Sequence, residues 1–280
     1  MARRVGSGGV HRARNSTADR ALDILLMFDD QHLTLTAADV ARRLDVTRST
    51  AYRYLQSLTS TQFVEEADGS GYRLGRRVLE LARLARRGLG LSEVARPVMR
   101  RVVGEVGEAV LLTRLAGSSV ICLEREGAAV GAVRISYERG QIMPINAGAG
   151  AHILLAWLPR AHVDAILRGA HFEAFTERTL TTVDDLHRRL GETRRRGYAV
   201  SRGELDPDVL GVAAPIHNAK GDVTAAISVA AVSARVPEER VRVLVEAACS
   251  AAEEISSELK VVKERGTAPV GRRNRPSTAS

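Results

Sequence analysis

One row of polar side chains, spaced to share a single side of an α-helix, carries the clearest chemistry in this sequence. At roughly 100° per residue, the side chains that form or flank this row are Ser49, Thr50, Tyr52, Arg53, Gln56 and Ser60. Guanidinium, amide and hydroxyl groups donate hydrogen bonds to phosphates and to base edges in the major groove of DNA. A merely solvated helix face more often carries Glu and Lys, so the row predicts a DNA-reading surface.

The residues around this row predict a helix-turn-helix. The inner side of the same helix is formed by Ala51, Tyr54, Leu55 and Leu58. A shorter helix precedes it, with Thr36 as N-cap and Asp39 in its first turn, and the residues from Asp45 to Thr47 join the two helices. Asp45 stands where such a turn usually carries Gly, and Asp tolerates positive φ better than most residues. Two amphipathic helices joined by a tight turn also occur in helical bundles, so this spacing alone leaves a bundle open as the alternative.

Charge is distributed unevenly along the 280 residues, whose formal net charge is +8. Residues 1–90 hold 15 Lys and Arg against 10 Asp and Glu, and residues 260–280 hold 6 against 1. The middle, residues 91–259, is left with 20 against 22. Basic ends around a slightly acidic middle predict a polyanion-binding region joined to a domain with a different task.

The composition also bears on the class and location of the protein. No apolar run approaches the roughly 18 residues of a membrane span, and the first residues lack the apolar core of a signal peptide. We therefore expect a cytoplasmic protein. Cys122 and Cys249 are too few and too far apart in the chain to predict a disulfide framework.

Composition and periodicity divide the chain into five segments. These are a disordered basic arm at 1–16, a winged helix-turn-helix at 17–75, a linker helix at 76–90, a mixed α and β domain at 91–262 and a disordered basic tail at 263–280. The first helix is expected over residues 17–30. In the mixed domain, Ser92 is the expected N-cap of the opening helix, and Ala129–Ser136 is the expected third strand.

Two parts of the N-terminal region offer further DNA contacts. The wing is a predicted hairpin of residues 62–66 and 72–74, in which Arg73 is the best phosphate contact. The acidic Glu65 in the same hairpin repels phosphate, so we expect the wing to bind weakly. Arg12 and Arg14 in the arm either contact DNA or remain solvated.

Six short motifs, in this order and spacing, resemble the IclR family of bacterial transcriptional regulators. The motifs are Asp19–Leu25, Arg48–Leu55, Tyr72–Gly75, Arg195–Val200, Val212–Ile216 and Ala226–Val229. No single motif is decisive, but together they are specific and cover roughly residues 17–262. The resemblance implies an α+β fold of two domains, with a winged helix-turn-helix, a linker helix and a C-terminal GAF-like effector-binding domain whose antiparallel sheet is flanked by helices.

The resemblance also implies partners and a second site. Such regulators form dimers, often paired into tetramers, on double-stranded operator DNA, and a small molecule, frequently an organic acid or an aromatic compound, changes their DNA affinity. The family's pocket positions correspond here to Met143, Asn146, Gly148, Ala149, Gly150, Ser201, Val209, Gly211, Ser228 and Ala230. The residues themselves leave two readings open, since the helix start at Gly148–Gly150 either exposes N–H groups to an anion or lets the helix pack close to a sheet.

Several pocket positions depart from the family pattern. Asn146 and His152 replace a frequent His and Lys, Gly211 replaces a common Cys, and Ala230 replaces a frequent Ser. The usually acidic position after the Gly-Tyr-Ala-Val motif is Ser201. These departures leave open either a different or larger ligand or the loss of effector binding.

An enzymatic reading finds no support in the sequence. Four histidines, His152, His162, His171 and His187, stand 10, 9 and 16 residues apart, unlike the i, i+4 pairs that place two metal ligands on one helix face. We expect each to be a surface or partly buried imidazole. There is no G-x-S-x-G elbow, P-loop or dinucleotide fingerprint, so we predict no catalytic residues, metal or cofactor.

The sequence therefore predicts a DNA-binding transcriptional regulator whose operator binding responds to an effector. A repressor is favoured over an activator. Ser49, Thr50, Arg53 and Gln56 are expected to choose the DNA sequence or position the helix, while Arg48, Tyr52 and Arg73 hold phosphates. The alternative is a DNA-binding protein of the same fold that no longer responds to a ligand.

Overall fold

The computed structural model describes residues 16–29, 31–69, 71–127, 137–170 and 172–266. The chain divides into two compact units, Met1–Ala85 and Arg86–Ser280. The basic arm with Arg12 and Arg14, the expected strand Ala129–Ser136, His171 and residues 267–280 of the tail lie outside the described residues. No helix in the described parts of the chain is long and apolar enough to cross a membrane.

The N-terminal unit combines short helices with a small antiparallel sheet. Its helices are α1 (Ser16–Leu25), α2 (Ala37–Leu44) and α3 (Arg48–Ser60), and α4 (Arg76–Leu89) follows the sheet. The strands β1 (Leu35–Thr36), β2 (Val64–Ala67) and β3 (Gly71–Leu74) have the order β1-β3-β2. Ile24, Val40 and Leu55 are fully buried at the centre of this unit. The predicted wing is present as the β2–β3 hairpin.

Local hydrogen bonds fix the helix-turn-helix at each junction. The Thr36 hydroxyl accepts from the backbone N–H of Asp39 at 3.2 Å, and the Asp39 carboxylate accepts from the Thr36 N–H at 3.0 Å, which forms a capping box. Asp45 ends α2 with a φ of 53°, as the turn requires. Thr47 caps α3 by accepting from the N–H of Thr50 at 3.3 Å. The predicted caps and turn of this motif are confirmed.

The extent of the first helix differs from the prediction. Helix α1 ends at Leu25 instead of continuing to residue 30. The carboxylate of Asp29 accepts from the backbone N–H groups of Gln31 at 2.9 Å and His32 at 2.8 Å, so a local turn takes up the amides that follow the helix.

The C-terminal unit is built on a six-stranded antiparallel sheet. Its strands are β4 (Ala109–Ala116), β5 (Ser119–Glu126), β6 (Ile142–Met143), β7 (Ala199–Arg202), β8 (Val209–His217) and β9 (Val223–Val232), in the order β6-β5-β4-β9-β8-β7. Its helices are α5 (Leu91–Val106), α6 (Ala149–Ala156), α7 (Arg160–Arg168), α8 (Val183–Arg196) and α9 (Glu238–Gly266), with a 3-10 turn at Ser233–Arg235.

The two faces of this sheet bury different helices because side chains alternate along each strand. Ile227 of β9 packs in one core with Met99 of α5 and Leu244 of α9. Its neighbour Ala226 faces the opposite core, which contains Ile153 of α6 and Leu186 of α8. Helix α6 therefore lies on the face toward which the even-numbered residues of β9 point.

The start of α5 corrects one predicted cap. Gly90, with a φ of 61°, occupies the N-cap position and makes no side-chain hydrogen bond, and the helix begins at Leu91. Ser92 is buried inside the first turn, and its hydroxyl has no hydrogen-bond partner among the described residues. The N-cap assignment of Ser92 was therefore wrong, because a left-handed Gly starts the helix one residue earlier than the hydroxyl pattern suggested.

Candidate DNA-binding surface and ligand cavity

The outer side of α3 presents donors that the protein itself does not engage. Arg48, Arg53 and Gln56 are exposed and make no hydrogen bond or ion pair with other described residues. The inner side of the helix is fixed by the buried Ala51 and Leu55. The helix thus exposes two guanidinium groups and an amide that no other described residue engages.

The remaining predicted contacts on α3 are arranged around its start. The hydroxyls of Ser49 and Thr50 each lie 2.9 Å from the Thr47 hydroxyl, so the three form a small network at the N-terminus of the helix. The side chain of Tyr52 is half exposed one turn later. Of the six predicted positions on this helix, five are exposed and Thr50 is partly exposed.

Arg73, the predicted phosphate contact of the wing, is paired with a carboxylate of the wing itself. The Nε of Arg73 donates to the Glu65 carboxylate at 2.8 Å, and the two residues are directly opposite each other across β2 and β3. Both side chains remain largely exposed. Glu65 therefore pairs with Arg73 across the wing.

A cavity lies in the C-terminal unit between the start of α6 and the sheet strands β4, β8 and β9. Nine of the ten predicted effector positions line it: Met143, Gly148, Ala149, Gly150, Ser201, Val209, Gly211, Ser228 and Ala230. The cavity volume is about 50 Å³. That is room for a few waters, so a larger ligand requires its walls to move.

Few polar groups face this cavity. The hydroxyl of Ser228 is buried and has no hydrogen-bond partner among the described residues. The Ser201 hydroxyl accepts from the N–H of Ala149 at 3.2 Å. Tyr137 forms part of the wall, and its pKa is raised above the ordinary value by burial and, to a smaller extent, by the negative charge of Asp206.

A buried carboxylate occupies the N-terminus of α6. Glu204 is 3% exposed, and its Oε2 accepts from the backbone N–H of Gly148 at 2.9 Å. Its Oε1 accepts from the Arg189 guanidinium at 2.5 Å. A carboxylate at this place is stabilised by the positive end of the helix, by a backbone donor and by a charged partner.

Beside Glu204 lies a fully buried imidazole. The Nε2 of His152 is 3.4 Å from the Glu204 Oε2, and neither ring nitrogen has a hydrogen-bond partner among the described residues. Burial lowers the pKa of His152 to about 4, against a smaller opposite effect of Glu204. The imidazole is therefore neutral at physiological pH.

Comparison with protein families separates the chain into the same two regions. Residues 17–68 match the IclR helix-turn-helix domain, and residues 84–257 match the C-terminal domain of bacterial IclR transcriptional regulators. The chain belongs to the IclR family. It is a DNA-binding transcriptional regulator with a two-domain α+β fold, and its relatives are regulators and not enzymes.

Full-length IclR-family relatives confirm the extent of the match. The HTH-type transcriptional regulator BhcR of Paracoccus denitrificans is 32% identical over 93% of this chain and 91% of its own length. The regulator KipR of Bacillus subtilis is 30% identical over 88% of this chain and 98% of its own length. A solved IclR homologue from Microbacterium hydrocarbonoxydans, in complex with 4-hydroxybenzoate, is 27% identical with a TM-score of 0.77, covering 88% of this chain and 99% of that one.

One predicted pocket residue of this IclR-family chain lies elsewhere. Asn146 does not line the cavity, because its side-chain amide donates to the carbonyls of Glu173 at 3.1 Å and Leu180 at 2.8 Å. These bonds tie the loop before α6 to the segment before α8. Asn146 therefore positions the chain near the cavity instead of facing into it.

Of the described histidines predicted to be at the surface or partly buried, one differs from the prediction. His152 is fully buried, because α6 is buried along its whole length. His187 is partly buried, with its Nε2 2.8 Å from the Asp164 carboxylate, and His162 is exposed. Within the described ranges, no group of three or more His, Cys, Asp or Glu side chains is arranged to hold a metal ion.

The sequence prediction missed the other residues of the cavity wall. These are Leu111, Thr113, Tyr137, Glu204, Leu205, Asp206 and Val229. For Leu111 and Thr113 a signal existed, since they alternate along the strand predicted at Ala109–Leu115, which pairs with the strand of Ser228. For Glu204 there was none, because its partners Gly148 and Arg189 are distant in sequence.

The departure at Gly211 has a steric reason in this IclR-family structure. A Cβ at this position would lie 2.7 Å from the Ser201 hydroxyl oxygen and 3.6 Å from the Ala149 Cβ. A Cys side chain here would displace the hydroxyl that accepts from the Ala149 N–H. The Ser at 201 and the Gly at 211 therefore form a matched pair.

Proposed function

We propose that this regulator binds a pseudo-palindromic operator as a homodimer or a dimer of dimers, through the outer side of α3. Arg53, Gln56, Ser49 and Thr50 contact bases or position the helix, while Arg48, Tyr52 and Arg73 hold phosphates. The observation that carries this proposal is the exposure of Arg53 and Gln56 without any partner among the described residues. Two such helices in successive major grooves stand about 34 Å apart.

The dimer is supported by α4, the proposed linker helix over 76–90. Leu81 and Leu84, three residues apart and so on one side of the helix, are 42% and 53% exposed in the single chain. Leucines exposed along one helix favour burial against a second copy. In this proposal a ligand in the C-terminal unit changes the relative placement of two DNA-binding units through α4, and operator DNA must change ligand affinity by the same factor.

An effector in the cavity is the second part of the proposal. It is supported by the buried Ser228 hydroxyl, which has no partner among the described residues, and by the 4-hydroxybenzoate complex of the homologue from Microbacterium hydrocarbonoxydans. Occupancy of the operator in the cytoplasm blocks transcription, and the effector changes this occupancy. A ligand-independent regulator of the same fold is the alternative, favoured by the narrowness of the cavity.

The DNA half is tested with Arg53→Ala. Operator fragments are first recovered by a genome-wide pull-down of bound DNA with the unmodified protein. We expect the substitution to lower affinity for them by about ten- to hundredfold and to blunt discrimination among base changes. The matched control is Arg242→Ala, an exposed arginine of the C-terminal unit. Unchanged affinity and sequence preference would show that this side of α3 does not read DNA.

The effector half is tested with Ser228→Met on the full chain. A ligand that binds only the folded state raises the melting temperature, so a metabolite library is screened by thermal shift. The substitution should abolish both that shift and any ligand effect on operator binding, while operator binding itself is kept. A ligand effect that persists in the folded variant would place the effector outside the cavity.

A further inference from the structure

We infer that the cavity selects an uncharged, mainly apolar molecule that carries a hydroxyl group, and that Glu204 makes it reject carboxylates. This inference rests on the proposed function, because it concerns the ligand of the same cavity. It names Glu204 as the residue that determines ligand class.

Three of the donors near the cavity are already engaged by the protein. The helix start of α6 is the natural place for an anionic ligand, but the Gly148 N–H donates to Glu204 and the Ala149 N–H donates to Ser201. The guanidinium of Arg189 is paired with the same Glu204 carboxylate. Glu204 therefore occupies the position that the carboxylate of a ligand would otherwise take.

The charges on the cavity wall oppose a second anion. The described lining residues include two carboxylates, Glu204 and Asp206, and no Lys, Arg or His. A ligand carboxylate in this small space would lose its hydration and meet negative charge in a medium of low dielectric constant. The phenol of Tyr137 already experiences this environment, since burial and Asp206 raise its pKa and so disfavour its anionic form.

The same wall suits a neutral hydroxyl compound. Leu111, Val209 and Val229 provide apolar surface. The Ser228 hydroxyl, which no described residue engages, can donate a hydrogen bond to a ligand oxygen or accept one from a ligand hydroxyl, and the Asp206 carboxylate can accept a hydrogen bond from a ligand hydroxyl. A cationic ligand fits less well, because the Glu204 carboxylate is already paired with Arg189 and an ammonium group would lose its hydration against a mainly apolar wall.

Three probes of matched size distinguish the ligand classes. The full chain is titrated with p-cresol, 4-hydroxybenzoate and 4-hydroxybenzylamine, which share a phenol and differ in the charge of the opposite group. We expect p-cresol to bind at least about tenfold more tightly than either charged probe. The inference is overturned if a charged probe binds as tightly as p-cresol, or if none of the three binds.

The role of Glu204 is tested separately with Glu204→Gln, which keeps the shape and removes the charge. The preference for p-cresol over 4-hydroxybenzoate should shrink by about tenfold or more. The matched control, Glu246→Gln, removes an exposed charge and should leave the preference unchanged. A folded Glu204 variant with the original preference would remove Glu204 from the inference, and if the variant does not fold, the wild-type comparison still decides the ligand class.

These outcomes separate the inference from the proposed function. In one outcome, 4-hydroxybenzoate changes operator affinity at least as much as p-cresol does, and Ser228→Met abolishes that change. The proposed ligand class is then wrong, but the protein is still an effector-responsive regulator. A failure of Arg53→Ala to weaken operator binding overturns the DNA half and leaves the ligand preference standing.

Discussion

The outer side of α3 and the cavity beside α6 differ in whether their charged groups are exposed and whether they are paired within the protein. On α3, Arg53 and Gln56 are exposed and unpaired among the described residues. At the cavity, Glu204 is 3% exposed and is held by Arg189 and the Gly148 N–H. The first surface leaves its donors without a partner among the described residues, whereas the carboxylate at the second is paired within the protein.

This difference separates the consequences of substitution. Removing an exposed, unpaired side chain changes binding and leaves folding almost untouched. Removing a buried, paired group leaves its partners unsatisfied and changes stability first. Substitutions on the DNA-binding surface should therefore be followed by DNA affinity, and substitutions at the cavity by the free energy of unfolding.

The largest stability effect is expected for Glu204→Ala. The substitution leaves the Arg189 guanidinium and the Gly148 N–H without their acceptor, and we expect a loss of about 3 kcal/mol in the free energy of unfolding. Trp157 is the single tryptophan and lies in the C-terminal unit, so urea unfolding followed by its fluorescence reports this unit. Glu246→Ala, at an exposed position, is the control. Equal unfolding curves for the two variants would contradict the internal charge balance.

The second prediction concerns pH and His152. Its pKa in the fold is about 4, below the ordinary 6.5, so the unfolded chain binds more protons between these values. The stability that depends on a neutral His152 is fully present above pH 6.5, and it is lost as the pH falls toward 4. Between pH 7 and pH 5 we expect His152 to cost the C-terminal unit about 2 kcal/mol of unfolding free energy.

This pH effect is measured by repeating the urea titrations at both pH values. His152→Gln should be less sensitive to the change than the unmodified chain, whatever its stability at pH 7. His162→Gln, at an exposed histidine, should keep the full sensitivity. Identical pH sensitivity in the His152 variant and the unmodified chain would place the titration elsewhere.

The same contrast explains what could be predicted from the sequence. The DNA-binding unit is set by local patterns, and its capping box between Thr36 and Asp39, its left-handed Asp45 and the buried inner side of α3 follow from residues within a few positions of each other. The first helix was an exception, because it ends at Leu25, five residues before the expected position, and Asp29 then accepts from Gln31 and His32 in a separate turn.

The cavity depends on contacts that no local pattern displays. Glu204 meets Gly148 at a separation of 56 residues, so its role was not predictable from spacing. His152 was different, because the run Ala149–Ala156 is apolar almost throughout and all eight residues of α6 are buried. A helix that is apolar all round is buried on every side, and that signal should have placed His152 in the core.

The third prediction returns to the DNA-binding unit and to the turn at Asp45. With a φ of 53°, this position suits Gly, which has no Cβ, or Asp, whose short polar side chain can hydrogen-bond locally, better than Ala. We expect Asp45→Ala to destabilise the helix-turn-helix by about 1 kcal/mol and Asp45→Gly to leave it within about 0.5 kcal/mol. Hydrogen exchange of the amides in α2 and α3 measures the effect in this unit. Equal protection in the Ala and Gly variants would show that the turn is not constrained.

The smallest effect is expected on the wing, where an exposed cation is already paired. Arg73→Ala removes one phosphate contact, so operator affinity should fall by less than about 1 kcal/mol, and the slope of log affinity against log salt should decrease by about one. Glu65→Gln should act in the opposite direction, because it releases Arg73 from its 2.8 Å bond and removes a negative charge. Fluorescence anisotropy over a salt series measures both. If Glu65→Gln weakened binding, the pair would be positioning the wing for DNA, and the wing would resemble the balanced cavity more than the open surface of α3.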